Sequence, residues 1–315
     1  VHHIQLSNAA FEGQNSVYLL GDGDASAPTT LVDTGVATPD VEAELRAALD
    51  ARGVSFADVD RVLLTHWHND HAGLAGAIQA ESDATVVIHE ADADLVAQRG
   101  TAREDLYDAQ EAALYDWGLP DDEREGLLAF NDEHSDLRGE PADVTEITDG
   151  DTVSLGPFEA EVVHLPGHAA GLVAYVVERD GRREAFVGDA ILPKYTPNVG
   201  GADIRVDRPL AQYLDSLLRI EALDLDRAWP GHRGPIIAPS ERARDITSHH
   251  EERTARVERA VADLAPATPW AVSAQLFGSL SGIHVLHGPG EAYAHLDHLV
   301  HEGRLEATPE GYVPA

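Results

Sequence analysis

Between Arg61 and Ala80 the sequence passes from an apolar, strand-like run (Arg61–Thr65) to a helix-like one (Ala72–Ala80). The junction reads Thr65-His66-Trp67-His68-Asn69-Asp70-His71. Four potential metal ligands therefore fall within six residues. In extended chain, side chains at i and i+2 share a face, so His66 and His68 can grip one ion. Asp70 and His71 follow as the chain turns into the helix, and point toward a second position close by. Imidazole and carboxylate together suit zinc and other borderline divalent metals. The competing reading, a solvated His-rich turn, would leave a dense set of donors with nothing to hold.

Three further residues lie where a layered site would want them. His168 closes Leu165-Pro166-Gly167-His168, Asp189 closes Phe186-Val187-Gly188-Asp189, and His232 closes Trp229-Pro230-Gly231-His232. Each stands just beyond a strand-like run, after a glycine that lets the backbone turn sharply. Further strands are expected at Ser16–Leu20, Thr30–Asp33, Thr85–Ile88, Glu161–Leu165, Val173–Glu178 and Glu184–Val187. Helices are expected at Thr38–Arg52, where Val41, Leu45 and Leu49 share a face, and at Pro209–Leu223. Strands followed by a helix, twice over, predict an α/β layered domain. A polar helical insertion at about 92–140 holds Tyr107, Tyr115 and Trp117, and an extension follows residue 240.

Composition narrows the chemistry. The 315 residues contain no Cys, which excludes thiol nucleophiles, disulfide scaffolds and iron–sulfur sites. No apolar run approaches the ~20 residues that span a bilayer, and the first residues show no signal-peptide pattern, so a cytoplasmic protein is expected. The formal net charge is −34, with 56 acidic against 22 basic residues spread along the chain. This resembles proteins of salt-in halophiles such as haloarchaea, where molar salt shortens the Debye length to ~3 Å and screens the repulsion. The acidity then reports the solvent, not a partner. Lys194 is the one lysine, five residues after Asp189. Its ammonium is expected either to reach over the site toward a substrate carboxylate or oxyanion, or to be an ordinary surface charge.

Taken together, Asp33 in Leu31-Val32-Asp33-Thr34-Gly35, the His66–His71 cluster, His168, Asp189 and His232 resemble the five ordered motifs of the metallo-β-lactamase superfamily. The resemblance covers roughly residues 1–240. It implies an αβ/βα four-layer sandwich with two divalent metal ions, most simply Zn2+ with Mn or Fe as alternatives. His66, His68 and His168 would hold the first ion; Asp70, His71 and His232 the second; Asp189 would bridge. Asp33 would orient a ligand imidazole by hydrogen bond. A metal-bridging hydroxide would attack the substrate, with Asp70 orienting it or receiving its proton. Asp at position 189, where dedicated antibiotic-resistance lactamases commonly have Cys, favours a bridged binuclear hydrolase of small acyl substrates, thioesters or esters. The alternative is a single-strand-directed endoribonuclease, and lactam hydrolysis remains a conceivable side activity.

Residues 241–315 read as three helices (Glu241–Leu264, Pro269–Phe277, Gly290–His301) and a hairpin from Arg304 to Val313, similar to the winged-helix domain of one branch of that superfamily. Residues 266–315 hold one basic residue, Arg304, so there is little to contact nucleic-acid phosphates. Packing over the active-site edge, or against a second copy in a homodimer, is the expected role. Of the other histidines, His89 and His164 are expected to pack. His2, His3, His134, His249 and His250 are expected at the surface. His295, His298 and His301 recur like a ligand stripe but lack an evident carboxylate partner.

Overall fold

A computed structural model of the chain describes residues 1–7, 13–21, 26–133 and 135–315. One sheet holds β1 (His2–Leu6), β2 (Asn15–Leu20), β3 (Thr30–Val32), β4 (Arg61–Leu63), β5 (Thr85–His89) and β6 (Val144–Ile147), adjacent in that order. A second holds β7 (Thr152–Leu155), β8 (Phe158–His164), β9 (Val173–Arg179), β10 (Arg182–Gly188) and β11 (Arg227–Pro230), likewise in order. Within or before the first sheet's crossovers come α1 (Pro39–Asp50), α2 (Asn69–Ala72), α3 (Ala75–Ser82), α4 (Glu90–Val96), α5 (Ala102–Asp116) and α6 (Asp121–Glu133). After β10 follow α7 (Pro209–Ala222), then α8 (Pro239–Leu264), α9 (Pro269–Phe277), α10 (His284–His301) and the hairpin β12 (Leu305–Thr308)–β13 (Gly311–Pro314).

Strand periodicity explains the layering. Tyr18, Val32, Leu63 and Val87 from the first sheet meet Val162, Tyr175, Val177 and Phe186 from the second in one buried cluster. The intervening residues, such as Leu31, Val62 and Val86, face outward onto Leu45, Leu49 and Ile78 of α1 and α3. On the other side, Val176 and Ala185 pack with Leu217 and Ile220 of α7. This is the expected αβ/βα sandwich. Strands β3, β4 and β5 run parallel, as do β10 and β11. Parallel pairing brings strand C-termini to a common edge, the usual place for ligands in α/β sheets.

Several elements depart from the sequence reading. The helix expected at Ala72–Ala80 is divided into α2 and α3, with Gly73 and Leu74 between them. β1, β6 and β7 are short, and the solvent-facing residues of β6 are polar, so their alternation is weak. The insertion resolves into α4, α5 and α6. α10 begins at His284, six residues before the expected start, because Pro289 lies inside it and had read as a boundary. Its flanking glycine serves a close approach. A Cβ on Gly290 would lie 2.3 Å from Gly201 Cα, so only glycine lets α10 touch the loop after β10. α8, α9, α10 and β12 share a core of their own, with Val257, Val261, Val272, Leu296 and Leu305. Among the described residues no helix is long and apolar enough to cross a membrane.

Candidate metal centre

β3, β4, β10 and β11 end at one edge, and the loop after β8 reaches the same place. There His66, His68, Asp70, His71, His168, Asp189 and His232 come together, all buried except the partly exposed His68. His68 Nδ1 lies 2.9 Å from His66 Nε2 and 3.1 Å from His168 Nε2. Beside this trio, His232 Nε2 is 3.3 Å from Asp189 Oδ2 and 3.5 Å from Asp70 Oδ2. His71 Nε2 is 3.6 Å from Asp189 Oδ1 and 3.8 Å from Asp70 Oδ2. Asp189 also comes within 3.6 Å of His168 Nε2, so it touches both groups. A side chain at Gly231 would strike Asp189 and His71, which is why the turn into His232 carries none.

Hydrogen bonds on the far side of each ring fix which nitrogen faces inward. His168 Nδ1 donates to the Asn198 carbonyl at 2.9 Å, His68 Nε2 to that of Ala202 at 3.1 Å, and His232 Nδ1 to that of Gln14 at 3.3 Å. A carbonyl only accepts, so the opposite nitrogen of each neutral ring carries a lone pair. Asp33 Oδ2 takes the proton of His71 Nδ1 at 2.9 Å. The Thr65 hydroxyl donates to Asp33 and therefore accepts from His66 Nδ1 at 3.0 Å. Burial, then the surrounding imidazoles, hold the His66 pKa well below the usual range. Burial and then His168 act the same way on His68, pushing it to about 3. These two rings are therefore not cationic. In the second group the carboxylates prevail. Burial opposes them, but Asp70 and Asp189 raise His71 well above its usual value, and Asp189 raises His232. Burial alone would raise Asp189 as well, but His232 and His71 hold it well below the usual carboxylate range. That half of the centre attracts a cation, whether a proton or a metal ion.

Five ring nitrogens and two carboxylates consequently face a common space. His71 Nε2, His232 Nε2 and Asp189 Oδ1 are buried with no hydrogen-bond partner among the described residues. Unprotonated nitrogens about 3 Å apart, as in the first trio, repel one another unless a cation lies among them. The donor set, imidazole and carboxylate without thiolate, fits divalent metal ions.

The family model described as "Metallo-beta-lactamase superfamily" matches residues 10–232. The chain belongs to that superfamily. It is similar to the "Probable metallo-hydrolase YqjP" of Bacillus subtilis, with 29% identity across 95% of this chain and 92% of that protein. A further relative is the "Atrochrysone carboxyl ACP thioesterase" of Passalora fulva, 27% identical across 81% of this chain and 59% of that protein. Among solved structures, a metallo-beta-lactamase family protein of Thermus thermophilus superposes with a TM-score of 0.83. It is 29% identical, over 100% of this chain and 98% of that one. The chain is thus a hydrolase-type enzyme of the superfamily, and its likeness to the Thermus structure continues through α8–β13.

A cavity of about 160 Å³ opens on Asp70, His168, Asp189 and His232. Among its other walls the sequence reading names Tyr107 but not Arg103, Gln110, Leu286 or His287. Arg103, Tyr107 and Gln110 on α5 stand at i, i+4 and i+7, a polar face that helical spacing does reveal. Leu286 and His287 come from the early part of α10, where no helix was expected. Lys194 is not brought to the cluster. Leu192 turns into the core and Lys194 emerges exposed, lining with Arg242 and Arg253 a neighbouring cavity that shares Asn198 and His287 with this one, its ammonium 5.2 Å from the Tyr195 ring centroid.

Other histidines need correction too. His250 is fully buried, not a surface residue, and stacks on His295. His295 does have a carboxylate near it: Glu291, one turn earlier, lies 3.9 Å from both rings. Glu291 already pairs with Arg253 and accepts from Asn198 Nδ2, so this group ties α8 and α10 to the loop that anchors His168. His89 and His164 stack at 4.0 Å, as expected of packing residues. His2 and His3 are half-buried, and His134 lies outside the described residues.

Proposed function

We propose that the chain is a binuclear metal-dependent hydrolase of small acyl substrates, thioesters or esters. The observation that carries this is the inward set of ring nitrogens, divided into a trio (His66, His68, His168) and a second group (Asp70, His71, His232) with Asp189 between. Two divalent ions, Zn2+ being the simplest occupant, would polarise a substrate carbonyl and lower the pKa of water there. The chain's residues do the rest. Asp33, Thr65, Asn198 and Ala202 hold the imidazoles in their donating tautomers. Asp70, which accepts from Asn15 Nδ2 at 3.1 Å and lines the cavity, is placed to orient a water or receive its proton. Leu192, Leu286 and Ile283 give the cavity an apolar side suited to an acyl group.

The thioesterase relative supports an acyl substrate, and the scarcity of basic residues from 266 onward weighs against RNA. The three helices and hairpin of the C-terminal region fit a winged-helix-like unit whose first task is to close the substrate cavity with α10. The test is elemental analysis of purified protein together with hydrolysis of a thioester, a lactam, a phosphodiester and single-stranded RNA, in about 2–3 M KCl where the charged surface is screened. Thioester turnover with two equivalents of metal is expected. RNA cleavage without acyl hydrolysis would overturn the assignment.

A further inference from the structure

We infer that the substrate bears an anionic group, a carboxylate or phosphate, away from its scissile bond, and that Arg103, with Gln110 and Tyr107, forms the subsite that binds it. This rests on the acyl-hydrolase reading above and names the substrate class more closely.

A second cavity, of about 450 Å³, adjoins the one at the metal centre. Arg103, Tyr107, Gln110 and Leu286 line both. Arg103 is 8% exposed. Its Nε donates to the Leu95 carbonyl at 2.9 Å and its Nη1 to Asn69 Oδ1 at 3.3 Å, which uses two of the guanidinium's five N–H groups. The Tyr107 hydroxyl lies beside it. No carboxylate pairs with it among the described residues. The contrast with Arg205 is instructive. Both guanidiniums stand 5.5 Å from the Trp67 ring centroid, yet Arg205 is held by the carboxylates of Asp92 and Asp203. A chain with 56 acidic residues has left its buried Arg103 without a counter-charge, and a buried unpaired cation is costly.

Gln110 adds an independent observation. Its side chain is 8% exposed, faces both cavities and makes no hydrogen bond among the described residues. With no protein partner among those residues, the carboxamide opens onto the cavities and has donors available for a ligand. Arg138 contributes a further positive charge to the outer cavity. Glu104 and Glu111 also border that cavity, but both are solvent-exposed and screened where Arg103 is not. Asn69 precedes Asp70, so the Arg103–Asn69 bond fixes the guanidinium at the rim of the metal centre. A substrate with its carbonyl at the metals and an anion a short chain away would satisfy both.

The anion can sit on the acyl side or on the thiol side, and three thioesters separate the cases. They are glutaryl-N-acetylcysteamine (acyl carboxylate), pentanoyl-coenzyme A (thiol-side phosphates) and pentanoyl-N-acetylcysteamine (neutral). Arg103→Gln should lower kcat/KM about ten- to a hundredfold for the thioester whose anion is recognised, with metal content intact. The neutral thioester should lose much less, and Arg103→Lys should recover part of the effect. Gln110→Leu, which removes the carboxamide without changing any charge, should reduce the same preference more weakly. Equal losses on all three thioesters, or none on any, would overturn the subsite. A second measurement needs no turnover: glutarate or pyrophosphate should raise the melting temperature of the wild type and not of Arg103→Gln. If that shift appears while no thioester is cleaved, the hydrolase reading falls and the anion site stands. If both proteins are stabilised alike, the anion site falls.

Discussion

Replacing Asp33 by Asn tests whether tautomer control builds the second half of the metal centre. Asp33 is 2% exposed and sits at φ 58°, a left-handed conformation that Asn also tolerates, so the backbone need not move. Its Oδ1 accepts from the Thr65 backbone N–H at 2.8 Å, and its Oδ2 takes the His71 Nδ1 proton at 2.9 Å. In Asp33→Asn an NH2 group replaces one of these acceptors. If it faces His71, two donors meet, and the ring must keep its proton on Nε2, which removes the lone pair a metal ion between Asp70 and Asp189 would need. If the amide turns over, the NH2 meets the Thr65 N–H, and a buried donor left unsatisfied costs about 1–3 kcal/mol. Changes to groups that orient a metal-bound histidine lower metal affinity about 10–100-fold, or about 1.4–2.8 kcal/mol. The variant should therefore hold one metal equivalent near wild-type affinity and the other at least tenfold more weakly. Titration of the metal-free protein with Zn2+ against a competing chelator would resolve the two steps, and near-UV circular dichroism would report the fold. Two equivalents bound at unchanged affinity in a folded Asp33→Asn protein would refute the tautomer argument.

Four further outcomes are expected. His68→Ala and Asp189→Ala should each lose metal and hydrolysis together while keeping their far-UV circular dichroism; full activity without metal in either would remove the basis of the assignment. Gly290→Ala should force α10 off the loop at Gly201, lowering stability by about 1–3 kcal/mol in a chemical denaturation curve. With 56 acidic residues against 22 basic, the melting temperature should climb as KCl is raised from 0.1 to ~3 M with metal in excess, and a flat profile would contradict the halophilic reading. Acid should destabilise the fold through its buried imidazoles. Burial and then Arg253 hold His250 at about 3, and burial and then His164 hold His89 at about 4. Below pH ~6.5 the unfolded chain therefore binds protons that the native chain refuses, and stability falls as pH drops from there toward 4. Equilibrium unfolding across that range should show a shallower fall in His250→Leu than in the parent protein.

The ligand cluster was legible because its signal is local. Four donors in six residues at a strand end need no tertiary knowledge, and His168, Asp189 and His232 repeat one pattern of strand, glycine and donor. The layered core was legible for a similar reason, since β2, β5, β8, β9 and β10 are runs of apolar residues long enough to show their period. What sequence reading could not reach is the far wall of the cavity. His287 and Leu286 depend on α10 continuing through Gly288-Pro289-Gly290, which local rules read as a break. Those residues are breakers in isolation, but here the small glycine surface is what allows the helix to lie against Gly201, and tertiary contact overrides propensity. Lys194 shows the opposite limit: of its two expected placements, over the site or at the surface, the structure shows an exposed side chain. Its rarity and its place five residues after Asp189 were both correct, yet distance along the chain does not fix where a side chain points once Ile191 and Leu192 have turned inward. The positive charge that does line the metal cavity, Arg103, lies in a helical insertion rich in acidic residues; helical spacing groups it with Tyr107 and Gln110 but does not show that this face meets the cavity. Only burial without a counter-ion distinguishes it from the other arginines, and that is a property of the folded chain. The molecule is accordingly divided: the sandwich edge holds the donors that local sequence announces, while α5 and α10 supply the cavity walls on which the proposed anion subsite is built.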